Sequence, residues 1–240
     1  KGEINSMFQY GNMLYNADGI PMNKEEAAHY FKLGADKGEV NSYFAYGYML
    51  FNGDGIPMNK KESIKYFKEG VNEGQVDSIL TYALILYNGD GIKMNKEEAK
   101  KYFKMAADQG EINSMFCLAL MFNFGDGIQK NKKEAAKYFK MAADKGQVNS
   151  MFRYGLMRSI GDGIPMNKKE AAKYLKMAAD KGHSNSMFTY ANMLNFGDGI
   201  QIDKEEASKY YKMATEYGHL DAMGNYAVML RDGDGVQMNK

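Results

Sequence analysis

Several features that often reveal a protein's chemistry are scarce in this sequence. Cys117 is the only cysteine, so no internal disulfide can form, and a reducing compartment such as the cytoplasm is expected. The 31 basic and 30 acidic residues leave a net charge of +1, which argues against a nucleic-acid binder, because such proteins carry a clear basic excess. No apolar run reaches the length of about 18 residues that a membrane span needs, so no membrane insertion is expected.

A period of 36 residues runs through the whole chain without an insertion or a deletion. The tetrapeptide Gly53-Asp54-Gly55-Ile56 marks its phase, with copies that begin at Ala17, Gly89, Gly125, Gly161, Gly197 and Gly233. A second, isolated glycine recurs with the same period, at Gly2, Gly38, Gly74, Gly110, Gly146, Gly182 and Gly218. A fixed period of this size predicts one array of stacked repeats, numbered 1 to 7 here: 2–37, 38–73, 74–109, 110–145, 146–181, 182–217 and a partial repeat, 218–240.

The first helix of each repeat, helix A, has a polar start and an almost wholly apolar body. In repeat 2, Asn41 precedes the apolar stretch, and every repeat carries Asn or Asp at this place, which is typical of a helix N-cap. We therefore expect helix A over residues 42–52, ended by Gly53 in the left-handed conformation. In the loop, Asp54 is predicted to cap its own turn by accepting hydrogen bonds from nearby backbone N–H groups.

The second helix of each repeat, helix B, opens with a capping box. Asn59 stands three residues before Glu62, and this pair recurs in other repeats, so we expect helix B over residues 60–72, ended by Gly74. An apolar stripe is expected on one face of helix B, formed by Ser63, Tyr66, Phe67 and Gly70. A solvated stripe is expected on the opposite face, formed by Lys61, Lys65, Lys68 and Asn72.

Small residues and methionines are assigned to packing. Gly47, Ser63 and Gly70 are small enough for close helix crossings. The 20 methionines fall mostly at positions expected in the core, such as Met49 and Met105, or in the loop, as at Met58. Flexible methionine side chains fill irregular gaps in a core, so this abundance is interpreted as packing and not as a metal or cofactor site.

Three motifs follow one another in repeat 4. Residues 114–122 read Ser-Met-Phe-Cys-Leu-Ala-Leu-Met-Phe, 125–128 read Gly-Asp-Gly-Ile, and 131–146 contain the run Ala-Ala-Lys-Tyr-Phe-Lys-Met-Ala-Ala. Over six full copies and a partial one, this pattern resembles the Sel-one-like repeat family, a relative of the tetratricopeptide repeat with a longer internal loop. The resemblance implies a right-handed α-superhelix that acts as an adaptor for other proteins.

The chain departs from the pattern of that family in conservative ways. Ser114 replaces the usual Ala, Tyr138-Phe139 replaces Trp-Tyr, and Asn131 replaces Asp, so the expected fold is unchanged. The cysteine pairs of the secreted bacterial branch of the family are missing. Their absence argues against a disulfide-bonded periplasmic protein and against any enzyme activity attributed to that branch.

The residues on one narrow face of helix A vary among the repeats. In solenoids of this kind helix A lines the concave surface, so this face is the candidate groove. Its first row is Gln9, Ala45, Thr81, Cys117, Arg153, Thr189 and Asn225. Its second row is Asn12, Tyr48, Leu84, Leu120, Leu156, Asn192 and Val228. The apolar middle of the second row, with Asn towards both ends, predicts a groove for a peptide or a helix. Alternatively, the three leucines pack against the next repeat and contact no ligand.

The end of helix A differs between early and late repeats. It reads Tyr15-Asn16, Phe51-Asn52 and Tyr87-Asn88 at first, and then Asn123-Phe124, Ser159-Ile160 and Asn195-Phe196. One position is about 100° around a helix, so the bulky residue moves towards the groove. We expect repeats 4 to 6 to carry the strongest anchors, with Arg153 and Arg158 beside them; a local change in loop packing is the alternative. The candidate partner-binding residues are Tyr48, Leu84, Cys117, Leu120, Phe124, Arg153, Leu156, Ile160, Thr189, Asn192 and Phe196.

Patterns typical of catalysis and metal binding are not found. His183 and His219 lie one repeat apart, roughly 10 Å, which is too far for one metal ion. Cys117 has no histidine in phase with it that could act as a base. The run Asp232-Gly233-Asp234-Gly235 resembles the start of a calcium loop, but Val236 stands where a ligand is needed. We therefore expect no catalytic residue, no metal site and no cofactor.

The function expected from these features is that of a protein-interaction scaffold or adaptor. It would bind a protein or peptide along the concave helix-A surface, without enzyme activity and without binding nucleic acid. The alternative is an accessory repeat region that positions a linked catalytic domain, for example a kinase, or its substrate. Because the chain stops at Asn239-Lys240, where helix B should begin, we also expect it to be a fragment of a longer protein.

Overall fold

In the computed structural model, residues 2–236 are described, with side chains from residue 5 onward, and this range contains thirteen α-helices and no strand. Odd-numbered helices are A helices and even-numbered helices are B helices, which confirms the predicted all-α solenoid of helix-loop-helix repeats. The predicted helix start at 239–240 lies outside the described residues. The helices are α1 (Gly2–Asn16), α2 (Lys24–Asp36), α3 (Val40–Asn52), α4 (Lys60–Asn72), α5 (Val76–Asn88), α6 (Lys96–Asp108), α7 (Ile112–Phe124), α8 (Lys132–Asp144), α9 (Val148–Ile160), α10 (Lys168–Asp180), α11 (Ser184–Phe196), α12 (Lys204–Glu216) and α13 (Leu220–Asp232).

Contacts divide the chain into two compact bodies, an N-terminal body, Lys1–Ser114, and a C-terminal body, Met115–Lys240. Within each body, an A helix packs on the B helix of its own repeat and on the B helix of the preceding repeat. Each B helix contributes one large side chain that is almost completely buried. In the N-terminal body these side chains are Phe31, Phe67 and Phe103, and in the C-terminal body they are Phe139, Leu175 and Tyr211.

Close helix crossings are confirmed at the small residues of helix A. A Cβ atom added to Gly47 would lie 3.0 Å from the Phe67 ring, and one added to Gly155 would lie 2.8 Å from Leu175. Met49 is buried in the core, as predicted. The prediction for Met105 is wrong, because it lies one helical turn after the exposed Lys101 and is itself 41 % exposed.

The predicted N-cap of helix A is wrong. Helix α3 begins at Val40, and the Glu39 side chain caps it by accepting hydrogen bonds from the backbone N–H of Ser42 at 2.6 Å and of Asn41 at 3.2 Å. The cap therefore comes from the residue that follows the turn glycine, and Asn41 lies inside the first turn. At the start of the chain, Gly2 is the first residue of α1 and not a turn residue. The turn at Gly38 is held by the Ala35 carbonyl of the preceding helix.

The capping box at the start of helix B is confirmed, with one difference in its geometry. Asn59 Oδ1 accepts a hydrogen bond from the Glu62 N–H at 3.1 Å, as in a standard box. The reciprocal bond runs between the side chains, from Asn59 Nδ2 to Glu62 Oε2 at 2.8 Å. The backbone N–H of Asn59 is already used, because it donates to the Leu50 carbonyl at 2.8 Å.

The loop aspartate joins neighbouring repeats, so the prediction that Asp54 caps its own turn is wrong. Asp54 Oδ1 accepts from Lys24 Nζ of the preceding repeat at 2.7 Å, and Oδ2 accepts from the Tyr15 hydroxyl at 2.6 Å. These two hydrogen bonds, that of Lys24 first, lower the pKa of the Asp54 carboxyl. The same lysine–aspartate pair, 30 residues apart, recurs as Lys60–Asp90, Lys132–Asp162, Lys168–Asp198 and Lys204–Asp234.

Helix A ends at a left-handed residue, which is glycine in α3, α5, α9, α11 and α13. The residue at this place after α1 is Ala17, with a φ of 58°. The left-handed conformation costs a non-glycine residue about 1–2 kcal/mol. Ala17→Gly is therefore expected to raise the free energy of unfolding by about 1 kcal/mol, measured by urea denaturation. Gly53→Ala, at the same place in the next repeat, is expected to lower it, and equal signs for the two changes would contradict the argument.

Candidate functional site

In the N-terminal body, the two candidate residues Tyr48 and Leu84 are exposed on helix A. Their neighbours along the chain are buried: Met49 beside Tyr48, and Ala83 and Ile85 beside Leu84. A single narrow face of α3 and α5 is thus open to solvent. Leu84 is therefore available to a ligand in this structure and is not a core leucine.

A concavity of about 320 Å³ lies on the same side of the N-terminal body. Its volume is at the lower end of the range of about 300–1,000 Å³ that is typical of ligand pockets. Apolar and aromatic side chains dominate its lining, together with three amides and one carboxylate, that of Asp77. The lining residues are Phe8, Asn12, Tyr15, Phe31, Asn41, Phe44, Ala45, Tyr48, Met49, Gln75 and Asp77.

The most exposed candidate residues lie in the C-terminal body, at the ends of α7, α9 and α11. Phe124 is 62 %, Ile160 73 % and Phe196 71 % exposed. In the N-terminal body the bulky residue stands one position earlier and is partly buried against the core phenylalanine of helix B. The ring centroids there are 6.4 Å apart for Tyr15–Phe31, 6.1 Å for Phe51–Phe67 and 6.1 Å for Tyr87–Phe103.

The other candidate residues of the C-terminal body differ in exposure. Arg153 is exposed, whereas Cys117, Leu120, Leu156, Thr189 and Asn192 are partly buried. Two of these have polar contacts within the body. The Thr189 hydroxyl donates to the Asn185 carbonyl at 2.7 Å, and Asn192 Oδ1 accepts a hydrogen bond from the Tyr211 hydroxyl. The amide oxygen of Asn192 therefore supports the packing of α11 on α12.

Arg158 is turned towards its own helix B, so the prediction that it lies beside the exposed anchors is wrong. Its Nε donates to Glu170 Oε2 at 2.6 Å, its Nη2 also contacts that oxygen, and Nη1 donates to the Pro165 carbonyl at 2.5 Å. The Tyr154 hydroxyl donates to Glu170 Oε1 at 3.0 Å. Position 158 is a buried leucine in four other repeats, at Leu14, Leu50, Leu86 and Leu194, and this phase explains why Arg158 faces inward.

His183 and His219 have a structural role as N-caps. His183 Nδ1 accepts from the Ser186 N–H at 3.2 Å, and His219 Nδ1 accepts from the Ala222 N–H at 3.3 Å. The His183 ring also packs on Phe152, with a centroid distance of 4.6 Å. An Nδ1 atom that accepts a hydrogen bond carries no proton, so the cap requires a neutral ring.

The pH dependence of stability is expected to show this requirement. Burial, and then the positive charge of Arg153, lower the pKa of His183 below its ordinary value of 6.5. The folded state therefore binds fewer protons, and stability that is complete above pH 6.5 is lost as the pH falls through the lowered pKa. His183→Gln retains an acceptor, as Gln147 does at α9, and we expect it to lose less stability between pH 7 and pH 5. Urea denaturation at both pH values is the measurement, and equal losses in the two proteins would exclude this role for His183.

Neither a metal centre nor a membrane span is found among the described residues. Among residues 5–236, no group of three or more His, Cys, Asp or Glu side chains is placed to hold a metal ion. Within the described helices, none combines the length and the apolar character needed to cross a bilayer.

Comparison with solved structures identifies similar folds. A protective antigen present in uropathogenic Escherichia coli strains, which displays an SLR fold, aligns with a TM-score of 0.95 at 23 % identity over 100 % of this chain and 51 % of the antigen. The chain thus spans about half the length of that protein. A Sel1 repeat protein from Oxalobacter formigenes aligns with a TM-score of 0.75 at 26 % identity, over 89 % of this chain and 88 % of the other.

Comparison of the sequence with curated proteins finds no match. Comparison with family models, in contrast, agrees with the structural comparison. The model of the Sel1 repeat matches six times, at residues 4–39, 40–75, 78–111, 112–147, 148–183 and 184–219. These matches cover most of the chain and agree with the resemblance seen in its motifs. The chain belongs to the Sel1 repeat family.

Proposed function

We propose that this chain is a protein-interaction scaffold that binds segments of other proteins on the exposed face of its A helices. The observation that carries the proposal is the recurrence of an exposed bulky apolar residue at the ends of α7, α9 and α11, namely Phe124, Ile160 and Phe196. Scattered apolar residues are normal on a surface, but a repeated set at one structural position is typical of an interaction site. Apolar side chains that lose contact with water on binding supply most of the affinity of such sites.

Each body has features that support a peptide or helix as the ligand. Arg153, on the same helix as Ile160, is exposed and can pair with an acidic group at the rim of an interface. In the N-terminal body, the concavity around Tyr48 combines an apolar lining with the amides of Asn12 and Asn41. Amide side chains can satisfy the backbone of a bound segment while its apolar side chains enter the concavity.

Selection from a displayed library of random peptides tests the proposal. Peptides selected on the purified chain are measured against the variant Phe124→Asp, Ile160→Asp, Phe196→Asp. These side chains are largely exposed, so the variant is expected to fold, as checked by circular dichroism. We expect the peptides to bind this variant at least tenfold more weakly, because three apolar anchors are replaced by charges.

A second variant controls for the change of charge. Lys137→Ala, Lys173→Ala, Lys209→Ala alters three exposed residues of the B helices and lowers the net charge by the same amount. Peptides that bind the control and not the first variant support binding on the A helices. Peptides that bind both variants equally, or a library that yields no binder, would contradict the proposal.

A further inference from the structure

Aromatic rings from two A helices line the concavity of the N-terminal body. On α3, the rings of Phe44 and Tyr48 lie one turn apart, with a centroid distance of 5.9 Å and an angle of 38° between their planes. Phe8 of α1 adds a third ring. Lys24 already lies over the Tyr15 ring, at 5.1 Å from its centroid, whereas no lysine or arginine of the described residues lies over the other three rings. These three rings are therefore available to a cation from outside.

The concavity lies where helix A carries the smallest residue of its first row. Ala45 is part of the lining, and the same position holds the longer side chains of Gln9 in repeat 1 and Arg153 in repeat 5. The volume of about 320 Å³ admits one long side chain or a small molecule. A ligand for this place is therefore expected to be slender and to insert end-on.

The lining contains one charged side chain, the carboxylate of Asp77 in the first turn of α5. Asp77 is exposed and forms no ion pair within the described part of the chain. Most repeats carry an amide at this position, as at Asn41, so the charge is a feature of this repeat and not a requirement of the fold. The N-terminal body as a whole has 13 basic and 16 acidic residues, whereas the C-terminal body has 18 and 14. Both the local and the overall charge favour a positively charged ligand.

We propose that this concavity binds the side chain of an arginine, which a bound segment of a partner protein supplies. The three methylene groups of arginine can pack on the apolar lining, and its planar guanidinium can stack on an aromatic ring and pair with the Asp77 carboxylate. Lysine fits less well, because its ammonium group is more strongly hydrated and cannot stack. The inference rests on the proposed function only in that a bound segment must deliver the arginine, and it adds which side chain the N-terminal body selects.

A single amino acid tests the concavity without any bound segment. The probe is N-acetyl-arginine methylamide, titrated into the ¹⁵N-labelled whole chain and followed by the shifts of backbone amide signals in NMR spectra. We expect saturable shifts around the concavity, with a dissociation constant on the order of 1 mM. The citrulline analogue has the same shape without the charge, and it is expected to bind more weakly by about fivefold or more.

Three variants of the chain locate the site. Asp77→Asn introduces the residue found at 41 and is expected to weaken binding of the arginine probe by about fivefold or more, because only the charge is removed. Asp221→Asn removes a carboxylate from the same position of α13, away from the concavity, and is expected to leave binding unchanged. Ala45→Gln introduces the residue found at 9 and is expected to weaken binding by filling the space. Circular dichroism checks that all three fold.

Several results would overturn the proposal. These are shifts that do not saturate, equal binding of the arginine and citrulline probes, and equal binding by Asp77→Asn and the unmodified chain. The outcome is separate from that of the peptide selection, because the probe needs no contact with the ends of α7, α9 and α11. A bound probe together with a library that yields no binder would contradict the proposed function alone.

Discussion

Gly163→Ala is expected to lower the free energy of unfolding by about 3 kcal/mol, through two effects at one residue. Gly163 has a φ of 77°, in the left-handed region, where a Cβ costs about 1–2 kcal/mol. In addition, an added Cβ would lie 2.1 Å from Lys132 Cβ and 3.1 Å from the Lys132 backbone. Lys132 is the first residue of α8 and cannot rotate away, so the loop must move and the Lys132–Asp162 ion pair must stretch.

The first repeat offers a matched control for Gly163→Ala. Gly19 has the same place in its loop and a φ of 72°, but nothing lies within 4 Å of an added Cβ. Gly19→Ala is therefore expected to show the backbone effect alone. Urea denaturation of both variants gives the contribution of the contact with α8 as the difference. Equal losses of stability would mean that the loop moves freely and that its contact with the preceding repeat is unimportant.

Glu170→Ala is expected to destabilise the chain by about 2 kcal/mol, because it leaves the guanidinium of Arg158 partly buried without a counter-charge. The side chains of the pair are 17 % and 23 % exposed, so the loss is expected below the 3–5 kcal/mol typical of a fully buried pair. Of the hydrogen-bond acceptors described above for Arg158, only the Pro165 carbonyl remains after the substitution.

Two further variants separate the ion pair from other effects of removing the carboxylate. Glu62 has the same place in its repeat, with the buried Leu50 at the position of the arginine, so Glu62→Ala measures the loss of a glutamate there in the absence of an ion pair with that position. Arg158→Leu introduces the residue found at 14, 50, 86, 194 and 230. The double variant Arg158→Leu, Glu170→Ala is expected to lose no more stability than Glu62→Ala does. If it loses as much as Glu170→Ala, the pair does not account for the effect.

Local signals in the sequence were sufficient to predict the helices, but they did not identify the capping residue of every helix. The capping box at Asn59 identifies the start of helix B because both partners lie within one turn. The Asn at 41 gave a wrong start for helix A, because Glu39 reaches the same N–H groups with a longer side chain. Glu, Gln or His occupies that position in every repeat, which is a signal that could have indicated the true cap.

Contacts between repeats were harder to predict than contacts within one. Asp54 was assigned to its own turn because loop aspartates commonly bind nearby N–H groups, whereas its partner Lys24 lies 30 residues away. The exposure of Phe124, Ile160 and Phe196 follows from their phase on helix A, and it was predicted. The concavity beside Tyr48 was not, because its volume depends on how side chains from three repeats pack together.

The lysine–aspartate pairs also bear on how an array of this kind can change length during evolution. Asp54 and Asp90 each bind a lysine of the repeat before, and repeat 2 also carries Lys60 for the repeat after it. A duplication or loss of 36 residues in frame within either body would therefore leave its junctions with both partners. Loss of 38–73, for example, would bring Lys24 opposite Asp90. Gene rearrangements that add or remove whole multiples of 36 residues would keep these ion pairs. An insertion or deletion of a single residue would disrupt the ion pair at a junction.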